Sequence, residues 1–559
     1  MANVALVEKV PSKTDFVRHF DNKFQFDRFP LCSDRTKKKI LKKDVDIDID
    51  LDEYEFVILV GSEALQHFTK ERSITEHCGR LINDKFIPVI NPGMLAFKPE
   101  ARETWDDALD KLKKYISGEL TSVKIDESKF YGITDTAEAL AWVKAARASN
   151  SPKVAVDTET TGLYPRDGYI LGISMAVDED TSVYISTDCI DDEIVDEMQA
   201  MFREKGVIMH NAKFDLAMLE YHFNFEFPTI DDTMLMSYML NEVPGNHGLK
   251  GLAIKHTPYG DYEKPMYDFI DEYCRRNGML KGDFTWDMIP FELMQVYAAM
   301  DACVTYRIYK VFEAELDKDI QIRRVYKNLL IPAMQFLKDI QDTGVPFDRK
   351  RLEVSQNLME ADIQLAIEKL EKHQEVLSFQ QFQDKPFNPN STLQLRKLLF
   401  DFIGLKPTGK KTGTGAHSTD AEVLQELGEQ HEVPTLILDI RQKSKIKNTY
   451  LDKIIPQLDR DSHLRTNFNL HGTTSGRLSS SGKLNMQQIP RDNPIVKGCI
   501  KAKEGHQIVA MDLTTAEVYV AAILAKDNKL QNVFRQGGNF HSTIAKTVFR
   551  LPCEVEEVA

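Results

Sequence analysis

VAVDTET (154–160) reads as a buried strand whose end turns acidic. Val154, Ala155 and Val156 are apolar, and Gly162 follows as a turn. Side chains alternate across a strand, so Asp157 and Glu159 point to the same face. Two hard oxygen ligands on one face suit Mg²⁺ or Mn²⁺. Alone the pair decides little, because acidic pairs on surface strands are common. Downstream, YILGISMAV (169–177) and TSVYIS (181–186) are two more apolar-alternating runs joined by short turns, which predicts an antiparallel meander. VIMHN (207–211) predicts a fourth strand leading into a helix at KFDLAMLEYHF. Helical patterns then dominate to about residue 335, and this mixed order implies an α/β layer architecture.

Upstream, the first 130 residues read as a small α/β unit with buried strands at EFVILVG (55–61) and KFIPVINP (85–92). RTKKKILKK (35–43) is a basic run that reads as a solvated face or loop, with backbone contact to nucleic acid as the other reading. From about 350 the pattern is mostly helical, broken by the Gly/Thr/Lys loop KPTGKKTGTGAHST (406–419). Strand-like segments return at LRTNFNLHG (464–472) and HQIVAMDLTTAEVYVAAILA (506–525).

Composition narrows the class. The 559 residues are 42% hydrophobic and 28% charged, which fits a multidomain globular chain. No run of 18 apolar residues suggests a membrane-spanning helix, and MANVALVEKVPSK is too short an apolar start for a signal peptide. The seven cysteines form no CxxC pair, so neither a zinc site nor a disulfide framework is indicated, and a cytoplasmic setting is expected. The net charge of −15 looks wrong for a partner of DNA until it is mapped. Residues 151–310 hold 13 Lys+Arg against 28 Asp+Glu, whereas 440–505 hold 13 against 5. An acidic segment reads either as a solvated surface or as a cation-binding domain beside a phosphate-binding one.

Two further spacings bear on that choice. Asn211 and Asp215, in HNAKFDLAML, lie four apart at a helix start and share a face. An acid there also simply complements the helix dipole. Tyr297 and Asp301, in VYAAMDACVTY, are again four apart on a strongly helical run. An isolated pair of this kind reads as a half-buried tyrosine and a surface aspartate.

Together the three elements are far more specific. DTETTGL, HNAKFDLAML and YAAMDACVTY resemble, in residue type, order and spacing, the three motifs of the DEDD proofreading 3′–5′ exonucleases. IDDTMLMSYML (230–240) resembles a further stretch of that family, with Asp232 and Thr233 opening a helix. Tyr297 resembles the tyrosine subtype. The resemblance implies catalytic residues Asp157, Glu159, Asp215, Tyr297 and Asp301, and two Mg²⁺ (or Mn²⁺) ions held by the four carboxylates. Asp157 would bridge both ions, Glu159 and Asp301 would complete the first site, and Asp215 would act on the second through water. Tyr297 would orient the attacking water, and Asn211 would contact the DNA strand.

The resemblance continues past residue 340. DTGVPFDRKRL, FNPNSTLQLRKLLF and RQKSKIKNTYLDKI are similar to the thumb and the start of the palm of family A (Pol I-like) DNA polymerases, above all those of tailed bacteriophages. HGTTSGRLSSSGKLNMQQIP (471–490) resembles a stretch that touches the primer–template minor groove, which implies DNA contacts for Arg477, Asn485 and Gln488. Lys483 and Met486 depart from that pattern. QIVAMDLTTAEVYVAAILAKD (507–527) resembles the first metal-binding palm motif. There Asp512 implies a metal and nucleotide ligand, and Glu517 a residue that excludes ribonucleotides. Leu513, Thr514, Thr515, Ala516, Val518 and Tyr519 are departures around it. GGNFHSTIAKTVF (537–549) implies that His541 contacts incoming nucleotide phosphates.

The fold implied is α/β multidomain: an RNase H-like (DnaQ-like) exonuclease domain followed by a helical thumb and a partial palm of a right-hand polymerase. The expected domains are an N-terminal α/β unit of unknown role (1–130), the exonuclease (131–325), the start of the palm with the thumb (326–465), and the first part of the palm (466–559). The family pattern next calls for a fingers helix and a second palm aspartate, which these residues do not supply. The expectation is therefore a replicative polymerase portion with a proofreading exonuclease, acting on single-stranded 3′ ends and primer–template DNA. A second polypeptide would carry the remaining palm and fingers, with an interrupted gene or a truncated form as the other readings, in the host cytoplasm for a phage protein. The alternatives are a stand-alone 3′–5′ exonuclease and a non-catalytic primer–template-binding subunit.

Overall fold

A computed structural model describes residues 3–558, apart from 21–24, 38, 72, 99–100, 119–124, 246, 261, 413–414, 483, 490–492 and 514. Lys483 and Thr514, two of the departures noted above, lie outside the described residues. The chain divides into one unit of Met1–Gly344 with Arg465–Gln488, and another of Val345–Leu464 with Ile489–Ala559. The stretch 465–488 thus groups with the N-terminal half and not with the residues on either side of it.

The first unit opens with a parallel sheet, in the order β2-β1-β3-β4, of β1 (Val4–Glu8), β2 (Asp27–Pro30), β3 (Phe56–Val60) and β4 (Phe86–Val89). FVILV in β3 is apolar throughout because a central parallel strand is covered on both faces. Helix α1 (Arg102–Ser117) lays Trp105, Ala108 and Leu112 into one of the two cores flanking this sheet.

A six-stranded mixed sheet follows, in the order β10-β9-β6-β7-β8-β5. Its elements in chain order are β5 (Phe130–Ile133), α2 (Thr136–Ala148), β6 (Lys153–Thr160), β7 (Ile170–Ala176), β8 (Ser182–Ser186), α3 (Asp192–Glu204), β9 (Gly206–Met209), α4 (Ala212–Phe223), β10 (Ile230–Asp232) and α5 (Thr233–Leu240). The predicted meander is β6-β7-β8, antiparallel throughout. Strand β10 was not predicted: in Ile-Asp-Asp no alternation is visible, yet all three residues are buried. Asp231 is accommodated there by ion pairs to Lys153, at 2.7 Å, and Lys327.

Helix α6 (Phe291–Leu316) packs on β5, β6, β7 and β8. Ala298, Ala299 and Ala302 are fully buried on it, and such small residues allow a close approach. The helix is fixed in register by Ser182 Oγ donating to Ala299 O at 2.5 Å and Gly132 N–H donating to Gln295 Oε1 at 2.8 Å. Helix α7 (Ile331–Thr343) and the hairpin β11 (Asn467–Asn469) with β12 (Ser479–Ser481) complete the unit.

The second unit is mainly helical. Helices α8 (Arg349–Glu371) and α9 (Glu432–Ile446) pack together, and Leu370, Phe379, Leu398, Leu424 and Ile437 belong to its core. Val345–Pro346 pairs with His463–Leu464 in a short antiparallel ladder. The later residues form α10 (Ala516–Leu524), α11 (Asn528–Arg535) and α12 (Phe540–Phe549). This corrects the strand expected over 506–525. Among the described residues no ladder forms there, Val509, Met511 and Leu513 are exposed, and the chain turns helical at Ala516. A strand needs a hydrogen-bonded neighbour, whereas the Ala-rich EVYVAAIL closes its bonds within the segment. Among the described residues no helix is long and apolar enough to cross a membrane.

Candidate functional site

Strand β6 outruns its parallel neighbour. Its pairing with β9 ends at Ala155, while its pairing with β7 continues to Thr160. Asp157, Thr158 and Glu159 therefore sit on a strand end with one open edge. Helix α4 covers that edge: Thr158 N–H and Oγ1 both donate to Asp215 Oδ1, at 3.0 and 2.7 Å. The register of β6 on β7 shifts between Glu159 and Thr160, a bulge beside the acidic pair. Glu159 stands opposite Gly172, and a Cβ at Gly172 would collide with the Tyr184 ring.

Helix α6 brings the remaining groups across the sheet. One ligand oxygen from each of Asp157, Glu159 and Asp301 lies within 4.8 Å of the others. Among the described residues this is the one such acidic group. Asp215 joins it through Thr158. Burial first, then mutual repulsion, pushes Asp157 and Glu159 well above the ordinary carboxylate range. Burial likewise raises Asp215 and Asp301, each to about 7. The charged groups that act on Asp157 are Asp215, Asp301 and Glu159, all acidic. A largely buried set of mutually repelling hard oxygens fits a divalent ion.

Several groups at the site were not singled out from the sequence. The Tyr262 hydroxyl donates to Asp301 Oδ1, and Glu263 beside it pairs with Lys250 at 2.8 Å. Tyr297 stands against Tyr262 and Trp286, with ring centroids 6.3 and 5.9 Å away. Burial pushes the Tyr297 phenol well above its usual value, so it stays protonated and able to donate. Tyr262 lies 39 residues from Asp301, with no periodic link to it. Thr158, between the two acids, is another such group.

Asp232 serves two helices. Its carboxylate accepts from Asn211 N–H and Ala212 N–H at the start of α4, at 3.1 and 3.0 Å, and from Met234 N–H and Leu235 N–H of α5, at 2.8 and 3.4 Å. Caps of this kind stabilise by about 1 kcal/mol each. Asn211 adopts the left-handed conformation (φ 60°) that lets the chain turn from β9 into α4.

The other residues expected to meet DNA or nucleotide are not part of the acidic group. Arg477 is exposed in the loop between β11 and β12, where its carbonyl accepts from Thr473 Oγ1 at 2.8 Å. Asn485 is engaged by its own hairpin, donating to Ser480 O at 3.1 Å and accepting from Gln487 N–H at 3.0 Å. Gln488 ends the turn Met486–Gln488. Asp512 is exposed on the irregular segment before α10, Glu517 is exposed in the first turn of α10, and His541 is exposed at the start of α12.

Residues 355–558 match DNA polymerase family A, and residues 130–317 match a 3′–5′ exonuclease family. The DNA polymerase of Escherichia phage T5 is 40% identical over 99% of this chain and 68% of its own length. The chain belongs to DNA polymerase family A. This family A chain is also similar to the DNA polymerase of Bacillus phage SP01, at 24% identity over 90% of the chain and 62% of the relative. It matches DNA polymerase I of Rhizobium leguminosarum at 29% identity over 78% of the chain. It thus spans about two thirds of the phage relatives and 44% of the bacterial one. The fold resembles the POL domain of Pol1 from M. smegmatis in complex with DNA primer-template and dNTP, with a TM-score of 0.61 at 21% identity, over 77% of this chain and 68% of that one. The α/β multidomain reading, with an exonuclease domain preceding a polymerase domain, therefore stands. Exonucleases and polymerases of these families use divalent metals, for which the acidic cluster provides ligands.

Proposed function

We propose that this family A polymerase chain hydrolyses DNA from the 3′ end at the site built on Asp157, Glu159, Asp215, Tyr297 and Asp301, with two Mg²⁺ or Mn²⁺ ions. The observation that carries this reading is the convergence of Asp157, Glu159 and Asp301 within 4.8 Å in a buried setting. Two such ions would activate water and neutralise charge on the phosphoryl group and the leaving 3′ oxygen. The protein supplies the geometry. Asp157 and Glu159 present their carboxylates from one strand face, Asp301 meets them from α6, and Thr158 holds Asp215 in place. Tyr262 holds Asp301 by its hydroxyl. Tyr297, protonated and set among aromatic rings, is suited to donate to the attacking water or the scissile phosphate.

The polymerase segment extends the proposal to primer–template DNA, with Arg477, Asn485 and Gln488 at the duplex. Asp512, Glu517 and His541 would serve the incoming nucleotide and its metal. The support is the family A match over 355–558 and the similarity in fold to a polymerase domain solved with primer-template. The test is degradation of a 3′-labelled single-stranded oligonucleotide in Mg²⁺, with and without chelator. Asp157→Ala should abolish the activity while the protein still melts cooperatively; normal activity in that variant rejects the site.

A further inference from the structure

Helix α4 is held from two sides. Residues two apart on a helix project about 200° apart, so Lys213 and Asp215 point in nearly opposite directions. Asp215 faces β6. Lys213 faces α7 and the hairpin, and is only 9% exposed. Its ammonium donates to Gln341 Oε1 and Asn467 Oδ1, each at 2.6 Å, and to Phe468 O. An ammonium has three hydrogens, and each has a neutral acceptor here. Gln341 Oε1 also accepts from Phe468 N–H at 2.8 Å, so α4, α7 and β11 meet at one polar knot. Burying a charge is costly, and it persists only where the surroundings hold it well.

The hairpin depends on this knot. A two-stranded hairpin is marginal by itself, and β11–β12 pairs through three residues on each strand. Its long connecting loop is tied down again by Tyr238 Oη of α5, which donates to Thr473 O at 2.8 Å. Yet the hairpin lies inside the polymerase-family match and groups with the exonuclease body.

We propose that Lys213 is a positioning residue that fixes the β11–β12 hairpin, and the duplex DNA it meets, to the exonuclease helix carrying Asp215. The consequence is a substrate preference: 3′ ends borne on a primer–template are degraded with the help of the tether, and free single strands without it. This rests on the exonuclease reading above and deepens it. Tether and catalytic site are separable, because the Lys213 ammonium bonds run to α7 and β11 and not to the carboxylates.

The experiment uses the full chain with Lys213→Met, which keeps the stem and removes the donors, and Lys213→Arg. Asn467→Ala removes one acceptor from the hairpin side in case Lys213→Met fails to fold. The substrates are one labelled oligonucleotide, free or annealed to a template with a mispaired 3′ end. Expected for Lys213→Met is a loss of about tenfold on the mispaired primer–template, the size of one lost charge-assisted hydrogen bond. The single strand should change by less than about twofold. Asn467→Ala should lose in the same direction and Lys213→Arg should recover in part. Amide hydrogen exchange over 467–481 should quicken in Lys213→Met. Equal loss on both substrates, no loss on either, or unchanged exchange each overturn the proposal. Wild-type protein inert on the single strand rejects the exonuclease reading instead, before any variant is compared.

Discussion

Thr158→Val is the sharpest probe of the acidic site, because it removes one hydroxyl and little else. Valine has nearly the shape of threonine, and position 158 is buried, so no bulk water replaces the lost group. The wild-type hydroxyl donates to Asp215 Oδ1 at 2.7 Å, and the backbone N–H of the same residue donates at 3.0 Å. A hydrogen bond to a charged acceptor contributes about 1.5–3 kcal/mol. At about 1.4 kcal/mol per factor of ten, that corresponds to a fall of roughly tenfold to a hundredfold in exonuclease kcat/KM. The remaining N–H bond favours the lower end. The pH dependence carries a sign as well. Burial raises Asp215 to about 7, and the two Thr158 donors oppose it by favouring the anion. Losing one raises the carboxyl further, so the loss should be greater at pH 6 than at pH 8. The assay is release of labelled nucleotide from a single-stranded oligonucleotide across a Mg²⁺ titration, with Thr158→Ser as the variant that keeps the hydroxyl. Full activity in Thr158→Val, or a serine variant as poor as the valine one, would refute the reasoning.

Tyr262→Phe removes the donor to Asp301, whose carboxyl burial already holds at about 7; the acid limb of exonuclease activity should move up by about one pH unit, and an unmoved limb contradicts the role. Gly172→Ala drives a Cβ into the Tyr184 ring opposite Glu159 and should cost about 1–3 kcal/mol of stability, read as a lower melting temperature together with weaker nuclease activity. Burial lowers His210 to about 3 and His471 to about 4, so the folded protein refuses protons that the unfolded chain binds near 6.5. Stability is then complete above about pH 6.5 and falls as the pH drops, by about 2 kcal/mol for His210 at pH 5, which urea midpoints at pH 7.5 and 5 will show or deny.

Much of the scaffold was legible locally. The alternation in 154–160, 169–177 and 181–186 predicts the meander, because one strand's period needs no knowledge of its partner. That Asp232 opens a helix came from the family resemblance, and the structure shows it capping Met234 and Leu235. Local pattern failed at Ile230–Asp232, where three residues are too few to show a period. It failed again at 506–525, where apolar content suggested a ladder that forms among none of the described residues.

At the site the division is similar. The two-residue spacing of Asp157 and Glu159, and the four-residue spacing of Tyr297 and Asp301, follow from strand and helix geometry, so sequence alone put each pair on one face. That strand β6 and helix α6 would bring Asp157, Glu159 and Asp301 within 4.8 Å was decided by the tertiary structure. So were the hold of Thr158 on Asp215, the hold of Tyr262 on Asp301, the second helix capped by Asp232, and the buried ammonium of Lys213. Each joins residues from 20 to 255 positions apart. The physical reason is range. Dihedral preferences and side-chain periodicity act over a few residues, whereas burial, repulsion among carboxylates and the pairing of buried polar groups depend on what the packed chain brings near.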